Sequence, residues 1–449
     1  ELLRPPDGPG LDELVQDGHV ELASGEVDRY RLVASIQEPA FGDWWTEAGR
    51  PPGEPPVPEP LRELAAAAAR HHAAGRPFDA LDQLLLCDQP TARSRFVELY
   101  DVADTAHDLP GCQALLDVVD SPYRLPLIDR DLLELRHDRS AYLAARNLWS
   151  TAFYQSARYL PRRALEQALE DLLDGRGGRI LQIHARGGMG KTMQLRWFIA
   201  RRCVPAPNRI PCARIDLDTV AAVAATRHPW LLLVELAAQL DLQLTYGPFQ
   251  DLLASYSSYR VLLSHAPDTT EVPVSADDVD GEDISARFTG VLTESAADRP
   301  VVLAFDSMEQ LFRLDGKPTG LLRLLGRLQQ DAPSLRMVLA GRYDLRQRLP
   351  DLPALLPAVL RSVQLGPLDG QDQRRYLRQG RGIHDPELVD AIVRRSGGTP
   401  FLLGLLADLA DAYPGIDAPL LDELAGRGMA GLVERVLASV DDDRLRWLL

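Results

Sequence analysis

Residues 183–192 of the chain read "IHARGGMGKT", and the elements on either side of this stretch decide the fold. The apolar run "RILQIH" (179–184) predicts a buried strand that leads into it, and "TMQLRWFIARR" (192–202) has the pattern of a helix that follows it. Glycines let the main chain approach an anion closely, and the N–H groups at the start of a helix favour negative charge. The stretch therefore predicts a phosphate-binding loop between a strand and a helix.

A lysine in this loop supports the interpretation, because it is one of only two in a chain that otherwise carries its positive charge on arginine. The compact ammonium of Lys191 can reach the outer phosphates of a nucleotide, and the hydroxyl of Thr192 can bind Mg²⁺. Ala185 takes the first glycine position of the pattern G-x-x-x-x-G-K-[ST], which the relaxed form of the pattern allows. The residues predicted to hold the nucleotide are Ala185, Arg186, Gly187, Gly188, Met189, Gly190, Lys191 and Thr192.

Four further apolar runs continue the pattern of strands. They are "CARIDL" (212–217), "VVLAF" (301–305), "MVLA" (337–340) and "SVQL" (362–365). Helical patterns separate most of them, and such alternation is typical of a parallel sheet covered on both faces by helices. We predict an α/β fold in which the insertion between Asp241 and Pro300 is partly helical and partly an acidic, mobile segment.

The ends of two strands supply candidates for chemistry. Asp306 follows "VVLAF" at the carboxyl edge of the sheet, where it can hold Mg²⁺. In many ATPases a second acid follows at once, but this chain has Ser307 there and its next acid is Glu309. Glu309 is either the base that activates water or a helix cap. Arg342, after the run that ends in "VLAG", is either a sensor of the γ-phosphate or a surface arginine.

The first 157 residues carry weaker signals. "HVEL" (19–22) and "RYRLV" (29–33) predict two strands within residues 1–48, either as an ordinary hairpin or as the end of a winged helix. A Pro-rich linker (49–60) comes before alanine-rich helices. Residues 71–86 are echoed by 103–119 at a spacing near that of tetratricopeptide hairpins, although plain helical packing is the favoured interpretation of this region.

Composition limits the class of protein. The formal net charge of -16 argues against a general nucleic-acid coat, because phosphate binding needs clustered positive charge. The apolar runs are too short for a membrane span, so we expect a cytoplasmic protein. The scattered cysteines (Cys87, Cys112, Cys203 and Cys212) indicate buried thiols in a reducing compartment. Because the chain opens on Glu1, we also expect a piece of a longer protein.

The order of the motifs resembles the STAND class of P-loop NTPases, which are signalling relatives of AAA+ and NB-ARC proteins. The resemblance covers about residues 158–449 and rests on "YLPRRALEQALEDLL", the phosphate loop, "VVLAFDSMEQ", "VLAGR" and "SGGTPFLLGLLA". Residues 61–157 belong to a mainly helical N-terminal region that the resemblance does not cover. For the rest of the chain, the resemblance implies three parts. They are a P-loop NTPase domain (158–366), a helical lid (367–430) and the start of a further helical or winged-helix module (431–449).

The resemblance also implies roles for single residues. Leu160, Pro161 and Arg162 would lie over the adenine, although Pro161 stands where the family has glycine and the acid that normally follows is replaced by arginine. Pro400 would approach the adenine from the lid. The family's pattern further implies that Asp306 coordinates Mg²⁺ and that Arg342 senses the γ-phosphate.

The function implied is a molecular switch that binds ATP or ADP with Mg²⁺ and hydrolyses ATP slowly. ADP would hold the lid closed, and ATP would favour an open form that self-associates into a homo-oligomer. Two alternatives remain, namely a turnover ATPase or small-molecule kinase, and a DNA-binding regulator that uses residues 11–48 beside an ATPase module. The acidity of the chain argues against the DNA-binding regulator. The helical region 61–157 is a candidate surface for a protein partner.

Overall fold

The computed structural model describes residues 20–22, 30–32, 57, 59–121, 124–176, 178–220, 226–263, 279–296, 299–312, 319–357, 360–413 and 415–425. These residues belong to two compact units that divide between Leu143 and Ala144. The predicted module at 431–449 lies outside the described residues. The domain limits predicted from the sequence stay predictions.

The first unit contains a hairpin and a set of helices. Strands β1 (Val20–Leu22) and β2 (Tyr30–Leu32) pair antiparallel within the segments predicted as strands. The helices are α1 (Glu59–His72), α2 (Pro77–Cys87), α3 (Gln89–Thr105), α4 (Leu109–Val119) and α5 (Arg130–Leu148), the last of which continues into the second unit.

Helices α1 to α4 form two successive hairpins, because α1 packs on α2 and α3 packs on α4. Aspartates fix two of the helix starts. Asp88 accepts a hydrogen bond from the main-chain N–H of Thr91, and Asp108 accepts one from that of Gly111. Phe96 and Tyr100 are fully buried at the centre of this unit. Paired helices fit both tetratricopeptide-like hairpins and plain helical packing, so the repeat stays a prediction.

The second unit is built on a five-stranded parallel sheet with the strand order β4-β5-β6-β3-β7. Each predicted strand is confirmed. The strands are β3 (Ile180–His184), β4 (Cys212–Asp216), β5 (Val301–Asp306), β6 (Leu335–Gly341) and β7 (Leu360–Gln364).

Helices cover both faces of this sheet. They are α6 (Ser150–Gln155), α7 (Arg163–Leu173), α8 (Lys191–Trp197), α9 (Trp230–Asp241), α10 (Gln250–Tyr256), α11 (Gly281–Ser295), α12 (Thr319–Asp331), α13 (Leu345–Arg348) and α14 (Leu352–Leu355). Helix α8 continues as a π-helical turn (Phe198–Cys203), and 3₁₀ turns lie at Ser156–Arg158, Ser257–Leu263 and Met308–Phe312.

The side chains of strand β5 contribute to two hydrophobic cores, one on each face of the sheet. Every residue in it is buried, and its side chains alternate between the faces of the sheet. Val302 and Ala304 pack with the core under α7 and α8, whereas Leu303 and Phe305 pack with the core under α9, α11 and α12. Continuous burial on both faces accounts for the uninterrupted apolar run in the sequence.

Four C-terminal helices, called the lid helices below, have a core of their own. They are α15 (Gly370–Arg375, continued by a π-helical turn at Tyr376–Gly380), α16 (Pro386–Ser396), α17 (Pro400–Ala412) and α18 (Ala418–Ala425). Leu377, Ile392 and Leu406 lie at their centre. A loop between the internal strand β3 and helix α8, in a parallel sheet with helices on both faces, is the P-loop NTPase fold that the sequence predicts.

Some expectations fall partly outside what the structure describes. Most of the acidic segment of the insertion lies at residues 264–278, which are not described, but its end is ordered as the first turn of α11, where Asp280 caps the helix. Cys112, Cys203 and Cys212 are buried free thiols, as predicted, whereas Cys87 is only half-buried. Among the described residues, no helix is both long and apolar enough to cross a membrane.

Candidate functional site

The predicted phosphate-binding loop, called the phosphate loop below, occupies residues 185–190, between the end of β3 and the start of α8. Its first residue, Ala185, is buried and its main-chain N–H donates to the carbonyl oxygen of Gly341 on the next strand at 3.1 Å. Gly188 and Gly190 have φ angles of 76° and 87°, in the left-handed region that glycine adopts without strain. The loop is therefore shaped by its glycines, as the sequence predicts.

Lys191 points back into this loop. Its Nζ donates to the carbonyl oxygens of Ala185 at 3.0 Å and Arg186 at 3.2 Å, and the residue is only 9% exposed. Burial lowers the pKa of Lys191, while the nearby carboxylates of Glu309 and Asp306 act against that shift. The ammonium thus lies in the loop that the sequence predicts to hold the phosphates of a nucleotide.

Thr192 and Asp306, the residues predicted to hold a metal, are in contact. Asp306 is 1% exposed at the end of β5, and its carboxylate is hydrogen-bonded by the Thr192 side chain. Burial raises the pKa of Asp306, and the positive charge of Arg214 opposes this rise. A hydroxyl and a carboxylate side by side are oxygen donors of the kind that Mg²⁺ prefers, so these residues fit the metal.

Arg214 is a site residue that the sequence analysis missed. Its Nη2 donates to Asp306 at 2.8 Å and to Asp216 at 2.6 Å, so that one guanidinium lies between two carboxylates. Asp216 and Asp306 are direct neighbours in the register of β4 and β5. The signal in the sequence was an arginine inside the otherwise apolar strand "CARID", followed by acids.

Glu309 and Arg342 form a pair. Glu309 Oε1 accepts from Arg342 Nε at 2.8 Å and Oε2 accepts from the main-chain N–H of Arg342 at 3.1 Å. Glu309 therefore does not act as a cap of its own 3₁₀ turn, which corrects one of the two alternatives drawn from the sequence. The Arg342 guanidinium carbon lies 3.8 Å from the position that a Cβ would take at Gly187, so the arginine lies next to the phosphate loop.

Asp218, a second residue that the sequence analysis missed, lies close to this pair. Ser307 adopts a φ of 58°, and its hydroxyl donates to Asp218 at 2.7 Å. Asp218 also accepts from the side chain of Gln310 and is one of the carboxylates that favour the charged form of Lys191. The loop after β4 thus adds an exposed carboxylate to the site, and nothing in its sequence distinguishes this acid from other surface acids.

Arg162 connects three segments of the chain. Its Nη2 donates to the carbonyl oxygen of Met189 in the phosphate loop at 3.1 Å, and its Nη1 donates to that of Gly366 at 2.6 Å, just before the lid helices. Burial lowers the pKa of Arg162. Leu160 and Arg162 both line the cavity described below, whereas Pro161 is exposed and does not. The adenine-covering element predicted from the resemblance is thus adjacent to the loop except at Pro161.

The lid helices touch the phosphate loop directly. The main-chain N–H of Phe401, in the first turn of α17, donates to the carbonyl oxygen of Gly188 at 3.1 Å. A Cβ at Gly188 would lie 3.2 Å from Cβ of Phe401, and one at Gly190 would lie 3.8 Å from Cγ of Pro400. Pro400 therefore lies beside the loop, and its approach to the adenine stays a prediction.

A cavity of about 600 Å³ opens between these segments, a volume in the range of small-molecule sites. The phosphate loop and α8 form one wall, residues 155–162 a second and the lid helices a third. Tyr159 stacks on Trp197 at 4.7 Å between ring centroids. Its lining also holds several polar residues that no motif in the sequence singles out, namely Gln155, Arg158, Tyr159, Arg196, Tyr376, Arg381 and Asp408.

No model of a protein family and no curated protein matches this sequence. Among solved structures, the chain is similar to a Walker-type ATPase of Pyrococcus abyssi, with 18% identity, 62% of this chain and 71% of that chain covered and a TM-score of 0.37. It is also similar to the Orc1 protein of Aeropyrum pernix in complex with DNA, with 15% identity, 65% and 68% coverage and a TM-score of 0.39.

A third similar structure is the Signal Transduction ATPase with Numerous Domains protein from Pyrococcus horikoshii that has a tetratricopeptide repeat sensor. The identity is 14%, with 63% of this chain and 33% of that chain covered, and the TM-score is 0.34. All three likenesses have low TM-scores. The P-loop NTPase fold of this chain therefore follows from its own strand order and loop.

Proposed function

We propose that the second unit binds ATP and ADP with Mg²⁺ at the phosphate loop and works as a nucleotide-gated switch of the STAND kind. The observation that carries the proposal is the hydrogen bond between Phe401 of the lid helices and Gly188 of the loop. Because the lid rests on the loop itself, a nucleotide bound there contacts both partners. Its terminal phosphate can then bias whether they stay together.

The charges at the site support a polyphosphate ligand. Lys191 and Arg342 lie at the loop, and Thr192 and Asp306 offer oxygen donors for Mg²⁺. The cavity between the loop and the lid has a volume suited to a nucleoside. In this proposal ADP holds the lid helices against the loop, and ATP with Mg²⁺ favours an open form that self-associates. The helices of residues 61–157 would serve to bind a protein partner.

Slow hydrolysis is part of the proposal. Ser307 stands where a second acid would polarise water, and both oxygens of Glu309 accept hydrogen bonds from Arg342. In a turnover ATPase or a small-molecule kinase, a carboxylate free to accept a proton would be expected beside the γ-phosphate. Sustained phosphate release of several per second would favour such an enzyme over the switch.

The direct test is to denature the purified protein and identify the released nucleotide by chromatography. We expect ADP from the parent, and little or none from the Lys191→Ala variant, because removal of the ammonium leaves the phosphates without their buried cation. Arg93→Ala, which removes a surface charge from the first unit, is a matched control and should retain the nucleotide. A Lys191→Ala protein that binds ADP and ATP as tightly as the parent would contradict the proposal.

A further inference from the structure

We propose that Glu309 is a positioning residue for Arg342, rather than the base that activates water. It orients the guanidinium toward the phosphate loop and so sets the preference for ATP over ADP. This inference rests on the proposed function, because it assumes that the loop binds these nucleotides.

The geometry of the pair supports an orienting role. Glu309 contacts Arg342 through the main-chain N–H and through Nε, which are on one side of the arginine. In the described part of the chain this leaves both terminal nitrogens of the guanidinium without a hydrogen bond to protein. The one closest to the loop, Nη2, is 3.8 Å from the Cβ position of Gly187. A carboxylate that holds Nε leaves the terminal NH₂ groups available for a phosphate.

The burial of the two side chains supports the same assignment. The Glu309 side chain is 11% exposed, whereas the Arg342 side chain is 57% exposed. The carboxylate is thus a buried anchor, and the guanidinium that it holds faces the space at the loop. The two hydrogen bonds from Arg342 take one acceptor site on each Glu309 oxygen and fix the orientation of the carboxylate toward the arginine.

The positive charge of Arg342 explains how the site could distinguish ATP from ADP. The γ-phosphate of ATP would lie near Lys191 and within reach of the oriented Arg342, whereas ADP ends one phosphate earlier. Arg342 therefore stabilises bound ATP more than bound ADP, provided that its guanidinium stays in place. A loss of Glu309 would release the arginine into many rotamers, and the selective part of the ATP affinity would fall with it.

The test compares the ratio of ATP to ADP affinity, measured by calorimetry in the presence of Mg²⁺, with single-turnover hydrolysis. We expect Glu309→Ala and Arg342→Ala each to lower the ratio by about tenfold, and the double variant to lower it no further. Glu309→Gln keeps an acceptor oxygen for Nε, so it should retain most of the ratio and hydrolyse ATP within about threefold of the parent rate.

Controls separate a local effect from unfolding. Glu282→Ala breaks a surface pair with Arg327 at 2.7 Å that is not part of the cavity, and it should leave the ratio unchanged. Thermal unfolding of each variant reports whether the fold is intact, and Glu309→Gln, which preserves side-chain volume, keeps the test decisive if Glu309→Ala unfolds.

Two results would overturn the inference. The first is a Glu309→Gln protein that binds ATP normally but has lost hydrolysis, since this identifies Glu309 as the base. The second is a Glu309→Ala protein with the parent ratio. If the parent itself binds neither nucleotide, the proposed function fails as well. If the parent binds them and Lys191→Ala does not, a failure at Glu309 overturns this inference alone.

Discussion

Substitution of Gly188 by alanine should loosen the lid helices from the phosphate loop, and Gly190→Ala provides a matched comparison. Both glycines have positive φ angles, of 76° and 87°, so that alanine costs about 1 kcal/mol of backbone strain at either position. The surroundings differ. The Cβ at position 188 would lie 3.2 Å from Cβ of Phe401 and 3.4 Å from Cγ2 of Thr399, whereas the nearest lid atom to a Cβ at position 190 is 3.8 Å away.

The difference between the variants isolates the contact with the lid. The backbone strain is present whether the lid is docked or not, so it cancels in the docking equilibrium. The crowding at Phe401 and Thr399 exists only in the docked form and should cost about 1 kcal/mol. Because RT is about 0.6 kcal/mol, the undocked population should rise about fivefold in Gly188→Ala and stay near the parent value in Gly190→Ala.

Hydrogen–deuterium exchange of the Phe401 amide reads this equilibrium, because that N–H donates to Gly188 only when the lid is docked. In nucleotide-free protein we expect exchange about fivefold faster in Gly188→Ala than in Gly190→Ala. The amides of α16, which does not touch the loop, should exchange equally in both. Equal exchange of the Phe401 amide in the two variants would refute the idea that the docked lid is held at this contact.

Three further predictions concern stability and binding. Gly326→Ala should lower the free energy of unfolding by about 2 kcal/mol or more in a denaturant titration, because its Cβ would overlap the carbonyl oxygen of Leu355, whereas the exposed Gly290→Ala, with nothing within 4 Å, should be neutral or stabilising. Nucleotide affinity should fall as pH rises through the pKa of Lys191, which burial places below its ordinary 10.5, since phosphate binding needs the protonated ammonium; a Lys191→Met variant that shows the same fall would exclude this cause. Asp306→Asn should abolish the difference between ATP affinities measured with Mg²⁺ and with EDTA, and a difference that persists would place the metal elsewhere.

The fold could be predicted from the sequence because its evidence is local. A fully buried parallel strand such as β5 is a continuous apolar run, and a phosphate loop needs glycines and a lysine at fixed spacing. The spacing alone placed Lys191 and Thr192, and the end of a strand placed Asp306. A few neighbouring positions in the sequence are enough to identify these residues, so no knowledge of tertiary contacts is needed.

The pairings at the site could not be predicted in the same way. Arg214 meets Asp306 because β4 and β5 are adjacent in a register that aligns Asp216 with Asp306. Glu309 meets Arg342 because β5 and β6 are neighbours and their carboxyl ends lie at one edge of the sheet. Strand order and register are set by packing between segments far apart in sequence. For this reason the sequence around Glu309 does not distinguish between its two predicted roles, a base and a helix cap.

These ion pairs and hydrogen bonds affect the net free energy of nucleotide binding. Three cations that lie at the predicted phosphate and metal positions each have an oxygen partner in the protein: Lys191 has loop carbonyls, Arg214 has two aspartates and Arg342 has Glu309. Binding of a nucleotide therefore exchanges partners instead of neutralising bare charges, and its net gain is much smaller than the direct attraction between phosphate and cation.

The exchange differs at the three positions. Lys191 would give up loop carbonyls for any phosphate at the loop, so it contributes to ADP and ATP binding alike. At Arg214, Mg²⁺ bound to Asp306 would compete with a guanidinium that still has Asp216 as a partner. Arg342 keeps its hydrogen bonds to Glu309 while its terminal nitrogens bind the phosphate. Its interaction with the phosphate is therefore gained without the loss of an existing one. Discrimination by the γ-phosphate therefore depends on the one cation of the three whose existing partner does not have to leave.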